Sequence, residues 1–454
     1  MLPPASDGSP GLINTQSTTG DRIGDFNPHN SINAGLSELI ERYRPTLVGY
    51  EVLYRKIHQN PELSGKESDT ANLVASELSR LGFETHTGIG GHGVVGVLEN
   101  GTGPCVLLRS ELDALPVKEQ TGLSYASRKT MEDEHGESQP TMHACGHDMH
   151  IACLLAASDL LKAASKEWSG TLVSLFQPAE EGDGGARQMV EGGLYRIVPK
   201  PDILIAQHTG PLKAGVVAIR SGPVLASSDS FDIRVFGKGG HGGKPHLCID
   251  PVLAACRIIT DLQSITSREV RPGEVAVLTC GSIHGGSAAN IIPDHVDFKV
   301  DIRTYSHDIR DQVVRAMKRI IKAGAQIAGM PQEPSIKLTS QTPLTENEPG
   351  SFARIIGEFG KYFGDSLWED SRGTASEDFP DLAHPIGQPY LYWHIGSTEE
   401  RLWDEAGGQQ GSLAPPTIPG NHSSRFSPAI EPTLKTGTSA LALAALTYLY
   451  SGKR

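Results

Sequence analysis

The sequence HACGHDMH at residues 143–150, followed at once by the apolar segment 151–164, organises the chain. Within that segment, helical spacing is kept by Ile151, Leu154, Leu155, Ser158 and Leu161. We therefore expect a helix over 151–164, with Asp148 as its N-cap. Cys145 and His147 would then lie on the turn that enters this helix.

Cys145 and His147 form a candidate metal-binding pair. Gly146 between them permits a tight backbone bend, which lets both side chains face one point. A thiolate and a neutral imidazole are ligands that zinc-like and manganese-like ions accept. A free cysteine flanked by surface histidines would give the same short pattern, so ligands elsewhere in the chain must distinguish the two interpretations.

Further candidate site residues follow apolar segments with the character of buried strands or lie in a later loop. They are Asp113 after 104–109, Glu180 and Glu181 after 171–176, His208 after 202–206, and His422 in a later loop. Strands alternating with helices predict a largely parallel sheet, whose ligands lie beyond the carboxyl ends of its strands. Taken singly, a solvated acidic turn, a core histidine and an exposed histidine would explain these residues. Their joint placement favours a metal site.

A second unit with a different pattern interrupts this α/β chain. Its predicted elements are strand 230–237, helix 250–267, strands 273–281 and 294–305, helix 308–325 and strand 335–339. This βαββαβ order is typical of a ferredoxin-like unit. We therefore predict an α/β protein with a metal-binding domain formed by residues 34–226 and 341–454, an inserted domain at 227–340, and a flexible N-terminal tail at 1–33.

Length, net charge, apolar runs and cysteine content limit the classes to which the protein can belong. A length of 454 residues allows two or more domains. The formal net charge of -13 argues against nucleic acid and anionic membrane surfaces as partners, and the longest apolar run, 440–450, is too short to cross a bilayer. Six scattered cysteines without paired spacing indicate a reducing compartment, so we expect a cytoplasmic protein.

Several motifs occur in one order, and the ordered set is far more specific than any member. They are RKIHQNPEL at 55–63, RSELDALP at 109–116, HACGHD at 143–148, QPAEEG at 177–182, FGKGGHGG at 236–243, GGSAANIIPD at 285–294 and SEDF at 376–379. In this series the chain resembles the aminoacylase/carboxypeptidase family of co-catalytic metallopeptidases. Within that family it is most similar to hippurate hydrolases and auxin-conjugate (indole-3-acetyl-amino-acid) amidohydrolases. The similarity spans about residue 53 to the C-terminal helix.

The resemblance implies a role for each matching residue. Cys145 would bridge two divalent metal ions, whether zinc, manganese or cobalt, and the other ligands would be His147, Glu181, His208 and His422. Glu180 would be the general base, and Asp113 would orient a metal-binding histidine. Substrate contacts would come from His241, Asn290 and Arg303. The inserted domain would act as a lid and carry the contacts of a homodimer, with His241 acting across it.

The implied reaction is hydrolysis of the amide bond of an N-acyl amino acid or a related small amide. Two ions would polarise the carbonyl and activate water, and Glu180 would move the proton. A dipeptidase or carboxypeptidase of the same family is the first alternative, and a catalytically inactive metal- or ligand-binding protein is the second. A serine hydrolase is disfavoured because the chain lacks a Gly-x-Ser-x-Gly elbow.

Two departures from the family leave the substrate open. Ser424 stands where the family usually has proline, two residues after the last histidine ligand. The polar segment 127–141 and the loop 397–420 are both long, and both lead towards candidate ligands. Each segment would either reshape the mouth of the pocket or form a solvated surface insertion.

Overall fold

A computed structural model describes residues 34–133, 135–182, 184–410 and 414–450 of the protein. The predicted flexible tail at 1–33 lies outside these residues. Among the helices of the described chain, none is both long enough and apolar enough to span a bilayer. All six cysteines are free.

The described chain alternates helices with strands over most of its length. The helices are α1 Ala34–Tyr43, α2 Val48–Gln59, α3 Ser68–Arg80, α4 His147–Ala163, α5 Gly185–Glu191, α6 Leu194–Ile197, α7 Pro251–Ser264, α8 His307–Ile327, α9 Pro349–Phe363, α10 Pro380–Ala383, α11 Glu400–Glu405 and α12 Ile430–Leu449. The strands are β1 Glu84–Ile89, β2 Gly93–Asn100, β3 Cys105–Glu111, β4 Thr130–Glu132, β5 Ser138–Pro140, β6 Gly170–Gln177, β7 Ile203–Lys213, β8 Val217–Ile219, β9 Gly222–Leu225, β10 Ser227–Phe236, β11 Gly240–His241, β12 Ala276–His284, β13 Ile291–Ile292, β14 His295–Thr304, β15 Ser335–Thr342, β16 Thr345–Asn347, β17 Leu367–Glu369 and β18 Tyr390–Thr398.

An eight-stranded sheet forms the centre of the larger unit. Its order is β1-β2-β6-β3-β7-β18-β8-β17, and the successive pairs from β6 through β3 and β7 to β18 are parallel. Every residue of β3 is buried, as expected for a strand covered on both faces. The prediction of a mostly parallel central sheet is confirmed.

Helix α4 lies in the core, where it contacts strands β3, β6 and β7 of the sheet and the helices α2 and α12. Its residues from His147 to Ser158 are all buried, so its apolar surface is continuous rather than confined to one stripe. The predicted N-cap is wrong. Gly146 occupies the cap position with φ 85°, and the helix begins at His147. Asp148 lies inside the first turn, and its Oδ2 is 2.6 Å from His58 Nδ1.

Residues 227–342 contain a four-stranded antiparallel sheet of order β12-β14-β10-β15. With α7 after β10 and α8 after β14, this is the strand order of a ferredoxin-like βαββαβ arrangement. Side chains of β14 alternate between exposed and buried, and the buried ones pack with α7 and α8 in a separate apolar cluster. That cluster includes Val296, Phe298, Val300 and Ile302.

Two long segments contain more regular structure than the sequence suggested. Residues 127–141 include the hairpin β4–β5. The end of β18 and the helix α11 lie within 397–420, and Trp403 of that helix is buried at 2% exposure. Strand β7 also extends through His208 to Lys213, because it pairs with β18 beyond the end of its pairing with β3. His208 therefore lies within a strand and not after one.

Candidate metal centre

Three side chains from separate parts of the chain surround the Cys145 thiol. His208 Nε2 lies 3.4 Å from Cys145 Sγ, and His422 Nε2 lies 3.3 Å from it. His422 Nε2 is also 3.0 Å from Glu181 Oε1. In a tetrahedral zinc site the metal–sulfur distance is about 2.3 Å and the metal–nitrogen distance is about 2.1 Å. A sulfur and a nitrogen bound to the same ion are then about 3.6 Å apart. The observed spacing therefore fits ligands that share an ion.

His147 joins this cluster from the first residue of α4. Its Nδ1 donates to the backbone oxygen of Asp113 at 2.8 Å, and its Nε2 is buried with no hydrogen-bond partner among the described residues. One ligand atom each from His147, Cys145 and Glu181 lie within 4.8 Å of one another. A buried nitrogen without a partner is costly, and a divalent cation would satisfy it. The residues present therefore fit a metal site.

Asp113 holds both the histidine and the glutamate of this cluster. Its Oδ2 accepts hydrogen bonds from the Glu181 backbone N–H at 2.9 Å and from the Ser64 hydroxyl at 2.7 Å. Its backbone oxygen fixes which His147 nitrogen carries the proton, so that Nε2 presents its lone pair to the cluster. Asp113 is itself buried, so this arrangement is shielded from water.

The protein environment disfavours the charged forms of several of these groups. Burial raises the pKa of the Cys145 thiol well above its usual range, and Glu181 and Glu180 add to the shift. Burial, followed by repulsion from Glu377, raises the pKa of Glu180 well above that of an ordinary glutamate. Burial lowers the pKa of His208 well below its usual range. A bound divalent cation would favour the thiolate and carboxylate forms and use the neutral imidazole as a ligand.

The backbone is strained at two points, and both lie at this cluster. Ala179 (φ 50°) and His422 (φ 69°) are the non-glycine residues with positive φ in the described part of the chain. The loop that carries His422 is fastened to the turn before α4, since the His422 N–H donates to Ala144 O at 2.8 Å and Asn421 Nδ2 donates to Cys145 O at 3.1 Å. Strain of this kind is typical of functional sites.

The cluster opens into a cavity of about 840 Å³. One wall comes from the larger unit and carries Cys145, Glu180, Glu181, His208 and His422; the opposite wall comes from residues 338–342 of β15 and Arg303 of β14. A volume of this size suits a small organic ligand. The cavity thus lies between the two units of the chain.

The three predicted substrate-binding residues do not lie together. Arg303 lines the cavity and donates from Nη1 to Thr374 O at 2.7 Å. His241 and Asn290 are exposed neighbours on the β11–β13 ladder, where the Gly242 N–H donates to Asn290 O. Neither is among the described residues that line the cavity.

Sequence reasoning missed a histidine–carboxylate pair beneath the cluster. His150 Nδ1 donates to Glu111 Oε2 at 2.8 Å, and His150 Nε2 accepts the Thr209 N–H at 2.8 Å. Both ring nitrogens of His150 are therefore occupied, so it supports its neighbours without offering a lone pair to a metal. The signal available in the sequence was the spacing of His147 and His150, which places them on one face of a helix.

A buried arginine was also missed. Arg109 is 1% exposed; its guanidinium donates to Glu377 Oε1 at 2.8 Å and to Gln177 Oε1 at 2.9 Å, and it pairs with Glu111 and Asp378. The only sequence signal was a charged residue at the end of an otherwise apolar strand. This cation partly offsets the repulsion among the acidic residues behind Glu180.

The fold is α/β with a mostly parallel sheet, and its cavity holds a thiol, imidazoles and a carboxylate beside a second glutamate. This combination is that of a metal-dependent hydrolase. A family model described as peptidase family M20/M25/M40 matches residues 107–406. The chain belongs to this family and is a metallo-amidohydrolase.

Individual relatives agree with this assignment. The chain is 35% identical over 402 residues to thermostable carboxypeptidase 2 of Saccharolobus solfataricus, covering 87% of this chain and 94% of the relative. It is 37% identical over 334 residues to hippurate hydrolase of Campylobacter jejuni, covering 73% and 84%. The crystal structure of YXEP from Bacillus subtilis, a dinuclear metal-binding peptidase of the M20 family, superposes with a TM-score of 0.71 at 26% identity over 90% of this chain and 99% of that one.

Proposed function

We propose that this protein hydrolyses the amide bond of N-acyl amino acids, with Cys145, His147, Glu181, His208 and His422 holding two divalent ions of zinc, manganese or cobalt. The observation that carries the proposal is that Cys145, Glu181, His208 and His422 line one cavity together with Glu180. A ligand atom of His147 lies within 4.8 Å of those of Cys145 and Glu181. When bound, the ions supply a Lewis acid that polarises the substrate carbonyl. Cys145 would be the ligand shared by the two ions, since its thiol lies 3.4 Å from His208 Nε2 and 3.3 Å from His422 Nε2.

Glu180 is the general base of the proposed reaction. Its Oε2 lies 4.0 Å from His147 Nε2, and its side chain lines the cavity. From this position Glu180 takes a proton from the attacking water and later delivers it to the nitrogen of the leaving amine. Asp113 contributes by keeping His147 and the Glu181 backbone in place.

Arg303 binds the anionic end of the substrate in this proposal. Its Nε is paired with Asp301 and its Nη1 with Thr374 O, so the guanidinium is held against the cavity wall. A carboxylate on the amino-acid half of the substrate would complete the hydrogen-bonding capacity of this side chain. The acyl half would then extend over the remaining wall, where Leu225, Leu338 and Tyr392 provide contact surface.

We also propose that residues 227–340 form a lid domain that carries a homodimer interface. Exposed apolar side chains concentrate on α7, β12 and their connections, and include Leu247, Val252, Leu253, Val275, Val277 and Ile283. β12 is an edge strand of its sheet, so its free backbone groups are available for pairing. His241 and Asn290 would then contribute to the cavity of the partner subunit. A mixed dimer of His241→Ala and Glu180→Gln subunits would regain activity if His241 acts in trans, and would remain inactive if it acts within its own subunit.

The carboxypeptidase relative favours peptide hydrolysis as a second candidate function. A panel assay separates the two: metal-stripped protein is supplied with Mn²⁺, Zn²⁺ or Co²⁺ and offered N-benzoylglycine, N-acetyl and indoleacetyl amino acids, and free dipeptides. We expect higher kcat/KM on the N-acyl amino acids. Preferential turnover of free dipeptides would replace this proposal with a peptidase. The net charge of -13 and the six free cysteines support a cytoplasmic enzyme without nucleic-acid or membrane partners.

A further inference from the structure

The turn that presents Glu180 contains a strained residue. Ala179 has φ 50°, a left-handed conformation that is unfavourable for a residue with a Cβ. It connects the end of β6 to Glu180, so its backbone angle sets the direction in which the Glu180 carboxylate points. Glu181 is held separately, because its N–H donates to Asp113 Oδ2 at 2.9 Å. An unsupported turn would relax to a negative φ and move the Glu180 side chain.

A buried carboxylate from another element holds this turn. Glu67 Oε1 accepts the Ala179 N–H at 2.8 Å and the Gly65 N–H at 2.7 Å, and the Glu67 side chain is 0% exposed. The same turn is fixed at its other end, where the Gly185 N–H donates to Ala179 O at 3.1 Å. Both the N–H and the carbonyl oxygen of Ala179 are therefore hydrogen-bonded. Among the described residues, Glu67 provides the only side chain that binds the Ala179 N–H.

Glu67 is not needed to cap the helix that follows it. It occupies the N-cap position of α3 without a side-chain capping bond. That role falls to Glu62, whose Oε2 accepts the Thr70 N–H at 2.7 Å and the Thr70 hydroxyl at 2.8 Å. The two buried glutamates therefore have different partners: Glu62 caps the first turn of α3, and Glu67 binds the turn that follows β6.

We infer that Glu67 is a positioning residue for the reaction, and that it acts by holding Ala179 in the left-handed conformation that aims Glu180 into the cavity. The inference rests on the proposed role of Glu180 as the base. It requires an acceptor oxygen at the place where Oε1 lies, and it does not require a charge there. Geometry and charge can therefore be separated by mutation.

The test compares Glu67→Gln, which keeps an acceptor oxygen at the same reach and removes the charge, with Glu67→Asp, which keeps the charge and is one methylene, about 1.5 Å, shorter. We expect Glu67→Gln to retain most of the wild-type kcat on N-benzoylglycine. Glu67→Asp should lose about 10–100-fold in kcat, because small displacements of a catalytic group are costly. KM and metal content should change little in both variants, because Arg303 is untouched and the proposed metal ligand Glu181 is held separately by Asp113.

Glu62→Ala is the matched control, because it removes a buried carboxylate from the same helix end without touching Ala179. It should lower the melting temperature while keeping kcat. The inference is overturned if Glu67→Asp has wild-type kcat, if Glu67→Gln is impaired as strongly as Glu67→Asp, or if Glu62→Ala loses kcat to the same degree. Glu180→Gln separates this failure from that of the proposed function: if Glu180→Gln is inactive and Glu67→Asp is fully active, only the role of Glu67 is wrong.

Discussion

His58 should make the folding stability of this protein depend on pH in the alkaline range. Its Nδ1 lies 2.6 Å from Asp148 Oδ2 and its Nε2 lies 3.1 Å from Glu119 Oε1, while the rings of Tyr54 and Tyr125 pack around it. Burial by itself would lower the pKa of His58, but the two carboxylates outweigh it and raise the pKa to about 9.

The magnitude follows from the difference between the folded and unfolded states. Relative to an ordinary value of 6.5, a folded pKa of about 9 corresponds to about 3.4 kcal/mol at about 1.36 kcal/mol per pKa unit. Since the folded pKa is raised, this stabilisation is fully present below pH 6.5. It is lost progressively as the pH rises through 9. Between about pH 6 and 9.5, the free energy of unfolding of the wild type should fall by about 3 kcal/mol more than that of a variant without the imidazole.

The assay is urea unfolding of metal-free wild type and His58→Gln at several pH values, so that pH-dependent metal release does not enter the difference. His86→Gln is the control, because His86 pairs at 3.3 Å with an exposed glutamate at the surface. We expect the difference in the free energy of unfolding between wild type and His58→Gln to shrink by about 3 kcal/mol across this range. The corresponding difference between wild type and His86→Gln should stay nearly constant. A difference for His58→Gln that is independent of pH would refute the reasoning.

Other perturbations have equally definite outcomes. Arg109→Met should destabilise the fold by about 3–5 kcal/mol in urea unfolding, because it leaves the buried carboxylates of Glu111, Glu377 and Asp378 without their cation; a loss below about 1 kcal/mol would contradict this. Gly146→Ala should lose bound metal and kcat, because φ is 85° and an added Cβ would collide with the Thr209 hydroxyl; full metal content would argue against it. Chelation should lower the melting temperature, and free ion at about 100 times its Kd should restore about 2.7 kcal/mol; an unchanged melting temperature would show that the ion does not bind the native state.

Local pattern was sufficient to predict the central sheet. The apolar segment 104–109 lies almost wholly in the buried strand β3, and in the second sheet the predicted strand 294–305 is β14, which buries one face. In both strands the burial follows a regular pattern along the whole element, and the apolar residues of the sequence show the same pattern. The short strands β8 and β17 were not predicted, because each has only three residues, too few for a pattern to identify a strand, and they form by pairing with each other.

The sequence was enough to select the residues that meet in the candidate metal cluster, but not the contacts that support them. Cys145, His147 and Glu181 belong to dense motifs, and the structure brings them together. The partners that fix them come from distant segments, as with the contact of Glu67 to Ala179 across 112 positions. The misplaced N-cap at Asp148 has the same origin, since its carboxylate is used by His58, 90 positions away. Nothing local in the sequence encodes such pairs.

The most direct test of the proposed chemistry is the kcat of Glu180→Gln on the best N-acyl amino acid, measured together with the metal content of the same sample. We predict that the variant keeps the fold and two divalent ions per subunit while kcat falls by about 10²–10⁴-fold, the usual cost of removing a general base. A metal-replete variant with wild-type kcat would contradict it, because Glu180 would then not be the group that moves the proton.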